Sequence, residues 1–158
     1  MWTYFFGIGF KHFLKGDGKL ALKLPPFIKI FEVVDTLDKE NMEVLIIDDE
    51  ADICFLLSNL LKKKQIHSKY VNSLRAAATM LETNYPGIIF LDNHLPDGLG
   101  VNFVSYIKRF HPESKIVMIT AHDTIADKNK AFKEGVDYFI SKPFSKDTVN
   151  TLVETLYN

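Results

Sequence analysis

Four runs of strand length, Val44-Leu45-Ile46-Ile47, Ile88-Ile89-Phe90-Leu91, Ile116-Val117-Met118-Ile119 and Tyr138-Phe139-Ile140, are continuously apolar and rich in β-branched or aromatic residues. Strands of a parallel sheet covered by helices on both faces need that pattern, because neither face meets water. A fifth strand, His67 to Val71, is weaker and is placed by alternation. Between the runs the apolar period lengthens. After Glu50, residues Ile53, Leu56, Leu57, Leu60 and Leu61 recur at helical spacing and stop at the solvated Lys62-Lys63-Lys64. Ser73 offers an N-cap for a helix to about Asn84, and Pro86-Gly87 restarts the chain. Pro96-Asp97-Gly98 turns into a helix with Phe103, Val104 and Ile107 facing inward, and His111-Pro112 ends it. Thr120 to Gly135 spans a polar helix whose few apolar anchors include Ile125 and Phe132, with Gly135 closing it in the C′ manner. Ser145 caps a last helix with Val149, Leu152, Val153 and Leu156 on one face. Five strand-helix alternations predict an α/β fold with a doubly wound, five-stranded parallel sheet.

Each strong run ends in a residue that carries chemistry: Asp48 and Asp49, then Asp92, then Thr120, then Lys142. Ligands of open α/β sheets bind outside the carboxyl ends of the strands, so these residues are expected to meet on one edge. Three aspartates against one lysine leave that edge short of positive charge. Like charges ~4 Å apart repel by roughly 4 kcal/mol at an effective dielectric of ~20, so the cluster either raises a pKa or binds a cation. Oxygen donors point to magnesium, manganese or calcium. Magnesium suits a site completed by a phosphoryl donor, since it is held by one or two carboxylates plus phosphate oxygens. Cys54, the only cysteine, falls within a helix and is read as inert, which disfavours soft metals. Asp92, the solitary carboxylate at its strand end, is the best nucleophile to accept a phosphoryl group.

From Glu43 to Asn158 the chain resembles the receiver domain of bacterial response regulators, the phosphoacceptor half of two-component signalling, and among these the stand-alone chemotaxis regulators. Ile46-Ile47-Asp48-Asp49-Glu50 is similar to the family's acidic pair, and Phe90-Leu91-Asp92-Asn93-His94-Leu95-Pro96 with Gly100 to its phosphoacceptor segment. Ile119-Thr120-Ala121-His122 looks like its switch hydroxyl, and Ser141-Lys142-Pro143-Phe144 like its Lys-Pro pair. The resemblance implies a flavodoxin-like (βα)5 fold with strand order 2-1-3-4-5. It implies that a sensor histidine kinase or a histidine phosphotransfer protein phosphorylates Asp92 with Mg2+, or Mn2+ in its place. Asp49 would bind the metal directly and Asp48 through water, with Asp92 and the backbone carbonyl of His94 completing the protein ligands. Lys142 would contact the phosphoryl group, followed by a cis bond to Pro143. Thr120 would move to bond a phosphoryl oxygen while Phe139 turns inward. Phe139 stands where some members have tyrosine, so no output here reads that hydroxyl. Side chains at the positions of His94 and His122 flank the path of the hydrolysing water in the family, which leads to an expectation of slower dephosphorylation at about pH 6 than at about pH 8.

Composition narrows the function further. With 19 basic and 20 acidic residues, the net charge is −1, and direct DNA binding is not expected. A single cysteine, no apolar run of membrane-spanning length and no signal-peptide pattern lead to a cytoplasmic expectation. Residues 1–41 differ in character: eight of the chain's twenty aromatics lie in the first 31 residues, beside five lysines and one acid, Asp17. No period runs through them. The expectation is a poorly ordered N-terminal extension, a basic aromatic arm or sequence upstream of a misplaced start, with the receiver over 42–158. Because the sequence stops after the last helix, a stand-alone receiver is expected, acting through contact with a target protein or in a phosphorelay, with dimerisation through the last-helix face. Its own chemistry would be limited to self-phosphorylation from small donors and self-dephosphorylation. The main alternative is a Mg2+-dependent aspartate-nucleophile phosphohydrolase. That class needs a second acid two residues after the nucleophile, where this chain has His94. A flavodoxin-type binding protein would need a hydroxyl- and glycine-rich loop where Asp48-Asp49-Glu50 stand.

Overall fold

The computed structural model describes residues 43–121 and 124–157; the expectations for residues 1–41 and for His122 lie outside them. The elements run β1 (Val44–Ile47), α1 (Ala51–Lys63), β2 (Ser68–Val71), α2 (Leu74–Leu81), β3 (Ile88–Asp92), β4 (His94–Leu95), β5 (Gly98–Leu99), α3 (Gly100–Phe110), β6 (Lys115–Thr120), α4 (Ile125–Glu134), β7 (Tyr138–Ser141) and α5 (Lys146–Tyr157). Five of the strands form one parallel sheet in the order β2-β1-β3-β6-β7. Counted along the sheet strands alone, this is the expected 2-1-3-4-5 order.

The continuous apolar runs are explained by the two cores that they feed. Leu45, Ile47, Ile89, Leu91, Ile116 and Met118 face α2, α3 and α4, packing with Ala77, Leu81, Val104, Ile107 and Ala131. Their neighbours Val44, Ile46, Ile88, Phe90, Val117 and Ile119 face the other way, onto Cys54, Leu57, Leu61, Val149 and Val153 of α1 and α5. Alternate side chains of one strand thus enter different cores. Each fully buried large aliphatic or aromatic side chain contributes roughly 1.5–3 kcal/mol.

Local signals place the helix ends. Ser73 Oγ accepts from Ala76 N at 3.3 Å, Ser145 Oγ accepts from Thr148 N at 3.0 Å, and Gly135 closes α4 at φ 108°. An L side chain would be strained at that φ. The apolar anchors expected on α4 are a correction. Ile125 is 79% exposed and Phe132 49%, and the residue that α4 buries is Ala131. A methyl group lets this polar helix lie close to the sheet, where larger anchors would hold it off.

The turn expected at Pro96-Asp97-Gly98 is the tip of a two-stranded antiparallel hairpin, β4 with β5, pairing His94 with Leu99. Asn93 fastens it from behind, its carbonyl accepting from Gly100 N at 2.9 Å and its Oδ1 from Val101 N at 3.0 Å. Gly100 is forced by a close approach: a Cβ there would stand 2.2 Å from the carbonyl oxygen of Asp92. Backbone cannot step aside as a side-chain tip can. Gly100→Ala is therefore expected to destabilise the domain by at least the ~1–3 kcal/mol typical of overpacking. An unchanged urea midpoint in that variant would contradict this packing.

Candidate functional site

The parallel ladder delivers the chemistry to one edge. Asp92 and Thr120 are the last residues of β3 and β6, Asp48 directly follows β1, and Lys142 directly follows β7. Backbone bonds carry the pairing one step past each strand: Asp48 N to Val71 O at 3.1 Å, Asn93 N to Ile119 O at 3.1 Å, and Lys142 N to Thr120 O at 2.8 Å. The Lys142–Pro143 peptide bond is cis.

At the centre lies the Lys142 ammonium, within 2.9 Å of Asp48 Oδ2, 2.8 Å of Asp92 Oδ1 and 2.7 Å of Glu50 Oε1. The side chains of Asp48 and Asp92 are only 1% and 6% exposed, whereas that of Glu50 is 60% exposed. Both inner carboxylates have a second donor, Glu50 N to Asp48 Oδ1 and His94 N to Asp92 Oδ2. Burial pushes the Asp48 carboxyl above its ordinary range, against the pull of Lys142 and the Glu50 N–H. For Lys142 burial works downward, but the hydrogen bonds that it donates to Asp92, Glu50 and Asp48 outweigh it and hold the ammonium well above the usual lysine range. Lys142 is a permanent cation there.

Asp49 is exposed beside this cluster. With Asp48, Glu50 and Asp92 it brings the edge to four carboxylates against one ammonium. Among the described residues no three metal-ligating side chains stand close enough to hold a cation as they are. Asp48 and Asp92 are both turned onto Lys142 instead. The donors are nevertheless all oxygen and the excess charge is negative, which fits a hard divalent cation. Cys54 adds no ligand: burial pushes its thiol up to about 11, and its Sγ donates to Asp48 O at 3.3 Å.

Thr120 is buried on the α4 side of Asp92, next to a cavity of about 80 Å³ lined by Asn93, Val101, Met118 and Phe139. Phe139 is half-buried, with Lys128 Nζ 5.4 Å from its ring centroid. His94 is exposed at the base of the β4–β5 hairpin. The structure thus brings Asp48, Asp92 and Lys142 into direct contact, with Thr120 and Phe139 around the adjoining cavity.

Sequence reasoning missed two residues. Glu50 belongs to the Asp48-Asp49-Glu50 run, but no signal in that run shows that its carboxylate reaches Lys142. Asp97 looked like a turn residue, but its two carboxylate oxygens accept from Leu74 N and Arg75 N, each at 2.9 Å. It therefore caps α2 from the turn between β4 and β5, and the N–H groups of Arg75 and Leu74 hold its carboxyl below the usual range.

Comparison with known proteins shows the family to which this fold belongs. Residues 44–154 match the response regulator receiver domain. The chain is 32% identical over 115 residues to the response regulator protein PilR of Pseudomonas aeruginosa, covering 73% of this chain and 26% of PilR. It is 33% identical over 114 residues to the nitrogen assimilation regulatory protein NtrX of Azorhizobium caulinodans, covering 71% of this chain and 25% of NtrX. It thus spans about a quarter of the length of these relatives. Among solved structures, the beryllofluoride-activated NtrC4 receiver domain dimer is 34% identical with a TM-score of 0.69, over 73% of this chain and 95% of that one. A two-component response regulator from Clostridium difficile superposes with a TM-score of 0.70 at 25% identity, over 73% and 94%.

Proposed function

The chain belongs to the response regulator receiver domain family, the phosphoacceptor module of two-component systems, and from that premise we propose that Asp92 is the residue that accepts the phosphoryl group. The observation that carries this reading is the position of Asp92 Oδ1, 2.8 Å from Lys142 Nζ at the end of the central strand of the sheet. Receivers interact with histidine kinases, and the donor here is a phosphohistidine of such a kinase or of a phosphotransfer protein. Asp49 and Asp48, with Asp92 and the His94 carbonyl, would hold Mg2+, for which Asp48 and Asp92 would turn from Lys142. When bound, the cation neutralises part of the charge on the transferring group.

This chain's own residues do the rest. Asp92 supplies the attacking oxygen. Lys142 keeps that oxygen oriented and brings a fixed positive charge to the phosphoryl oxygens. Thr120 donates its hydroxyl to a phosphoryl oxygen, drawing the β6–α4 connection toward the site. Phe139 then turns into the adjoining cavity, and the surface formed by α4, β7 and α5 changes for a partner. That surface, or onward transfer of the phosphoryl group, is the output.

Asp92 lacks an acidic neighbour two residues on, so the phosphohydrolase reading has no general acid in the expected place. A phosphoryl mimic tests the switch. Beryllofluoride with Mg2+ is expected to shift backbone amide resonances across α4 and β7 in the parent, and to leave those shifts largely absent in Thr120→Ala. Equal shifts in both proteins would contradict the coupling.

A further inference from the structure

We propose that Glu50 competes with an incoming phosphoryl group for Lys142 and so slows the loading of Asp92 by small anionic donors. This rests on the reading of Asp92 as the acceptor. An ammonium has three N–H donors, and in this structure three different carboxylates take them, at 2.9, 2.7 and 2.8 Å. A phosphoryl oxygen can gain one only if a carboxylate gives way. Asp48 and Asp92 are nearly fully buried and each is held by a second N–H, whereas the Glu50 side chain is 60% exposed and water can replace its contact. Glu50 is the group that yields.

Its place in the chain supports a dedicated role. Glu50 is the N-cap residue of α1, yet its side chain makes no capping bond and reaches across to Lys142. The position favours a short capping side chain, so the longer arm gives up helix stabilisation for the lysine contact. Its charge also stands on the solvent-exposed side of Lys142.

With acetyl phosphate as donor, an Asp92 carboxylate oxygen bonds to phosphorus as the bond from phosphorus to the acetyl oxygen breaks. Acetate leaves with that electron pair, and no proton is transferred. Second-order rates at saturating Mg2+ should be compared for the full-length parent, Glu50→Ala and Glu50→Asp, at low and high salt. Alanine removes both the contact and the charge. Aspartate keeps the charge, but its shorter arm serves α1 as a cap and cannot hold Lys142. Glu50→Ala is expected to react about two- to fivefold faster, the scale on which an exposed ion pair contributes. Glu50→Asp should show a smaller gain that persists at high salt, because its charge is unchanged. A rate in Glu50→Asp equal to the parent's would mean plain repulsion, and rates in either variant at or below the parent's would mean no competition; both results overturn the proposal. If the parent itself gains no phosphoryl group on Asp92, the underlying reading fails instead.

Discussion

Asp92→Asn is expected to abolish phosphoryl labelling by acetyl phosphate and by a cognate kinase, while leaving the domain folded. An amide nitrogen is no nucleophile at neutral pH, and the amide oxygen carries no full negative charge with which to attack phosphorus. The fold should tolerate the change well. Asparagine keeps one acceptor oxygen, which can serve His94 N, while Lys142 Nζ loses one contact and retains those to Asp48 and Glu50. The substitution also removes one of three carboxylates crowding a single ammonium, so the urea midpoint is expected to stay the same or rise. The parent in turn should label only with a divalent cation present. A phosphate-affinity gel run with and without a chelator checks both points, and undiminished labelling of Asp92→Asn would contradict the assignment.

The second large effect is on stability. Lys142→Ala leaves Asp48 and Asp92, 1% and 6% exposed, facing each other with no cation between them. Removing one partner of a buried pair costs about 3–5 kcal/mol. Here about 2 kcal/mol is expected at neutral pH without metal, since one side of the site opens to water and screens the charges. The pH dependence has a definite sign. Burial already holds the Asp48 carboxyl above its ordinary value with the ammonium present, and the variant raises it further. A carboxyl with a raised folded-state pKa stabilises the fold below its unfolded value of about 3.9, and that contribution is lost as the pH rises through the folded value. The deficit of Lys142→Ala should therefore be largest near neutrality and shrink toward acid. Mg2+ should recover part of it, by replacing the missing positive charge. A deficit independent of both pH and Mg2+ in urea unfolding would place the stabilising role of Lys142 elsewhere.

The strands could be read from the sequence because burial on both faces leaves no room for polar residues within them. Val44–Ile47 and Ile88–Leu91 feed two cores at once, and their ends are sharp for the same reason: the first residue beyond the cover of the helices can be charged. That sharpness made Asp48, Asp92, Thr120 and Lys142 legible as one edge. Features set by reach or by close approach were harder to see. Nothing in the local pattern says that Glu50 stretches 2.7 Å from Lys142 Nζ across 92 positions of chain, or that Asp97 caps a helix that begins 23 residues before it. The same holds for the short β4–β5 hairpin, which is fixed by Asn93 and by the contact that Gly100 makes with the Asp92 carbonyl. On α4 the apolar signal misled, since Ile125 and Phe132 look like anchors in a polar helix whose fit to the sheet depends on the small Ala131.

The identity of the acceptor is tested most directly by chemistry that marks the residue itself. An aspartyl phosphate is a mixed anhydride, which borohydride reduces to homoserine, while free carboxylates are left untouched. Protein incubated with acetyl phosphate and Mg2+, reduced and then sequenced as peptides should carry homoserine at position 92, and a sample kept in chelator should carry none. Homoserine at position 48 or 49, or at no position with Mg2+ present, would contradict Asp92 as the phosphoacceptor.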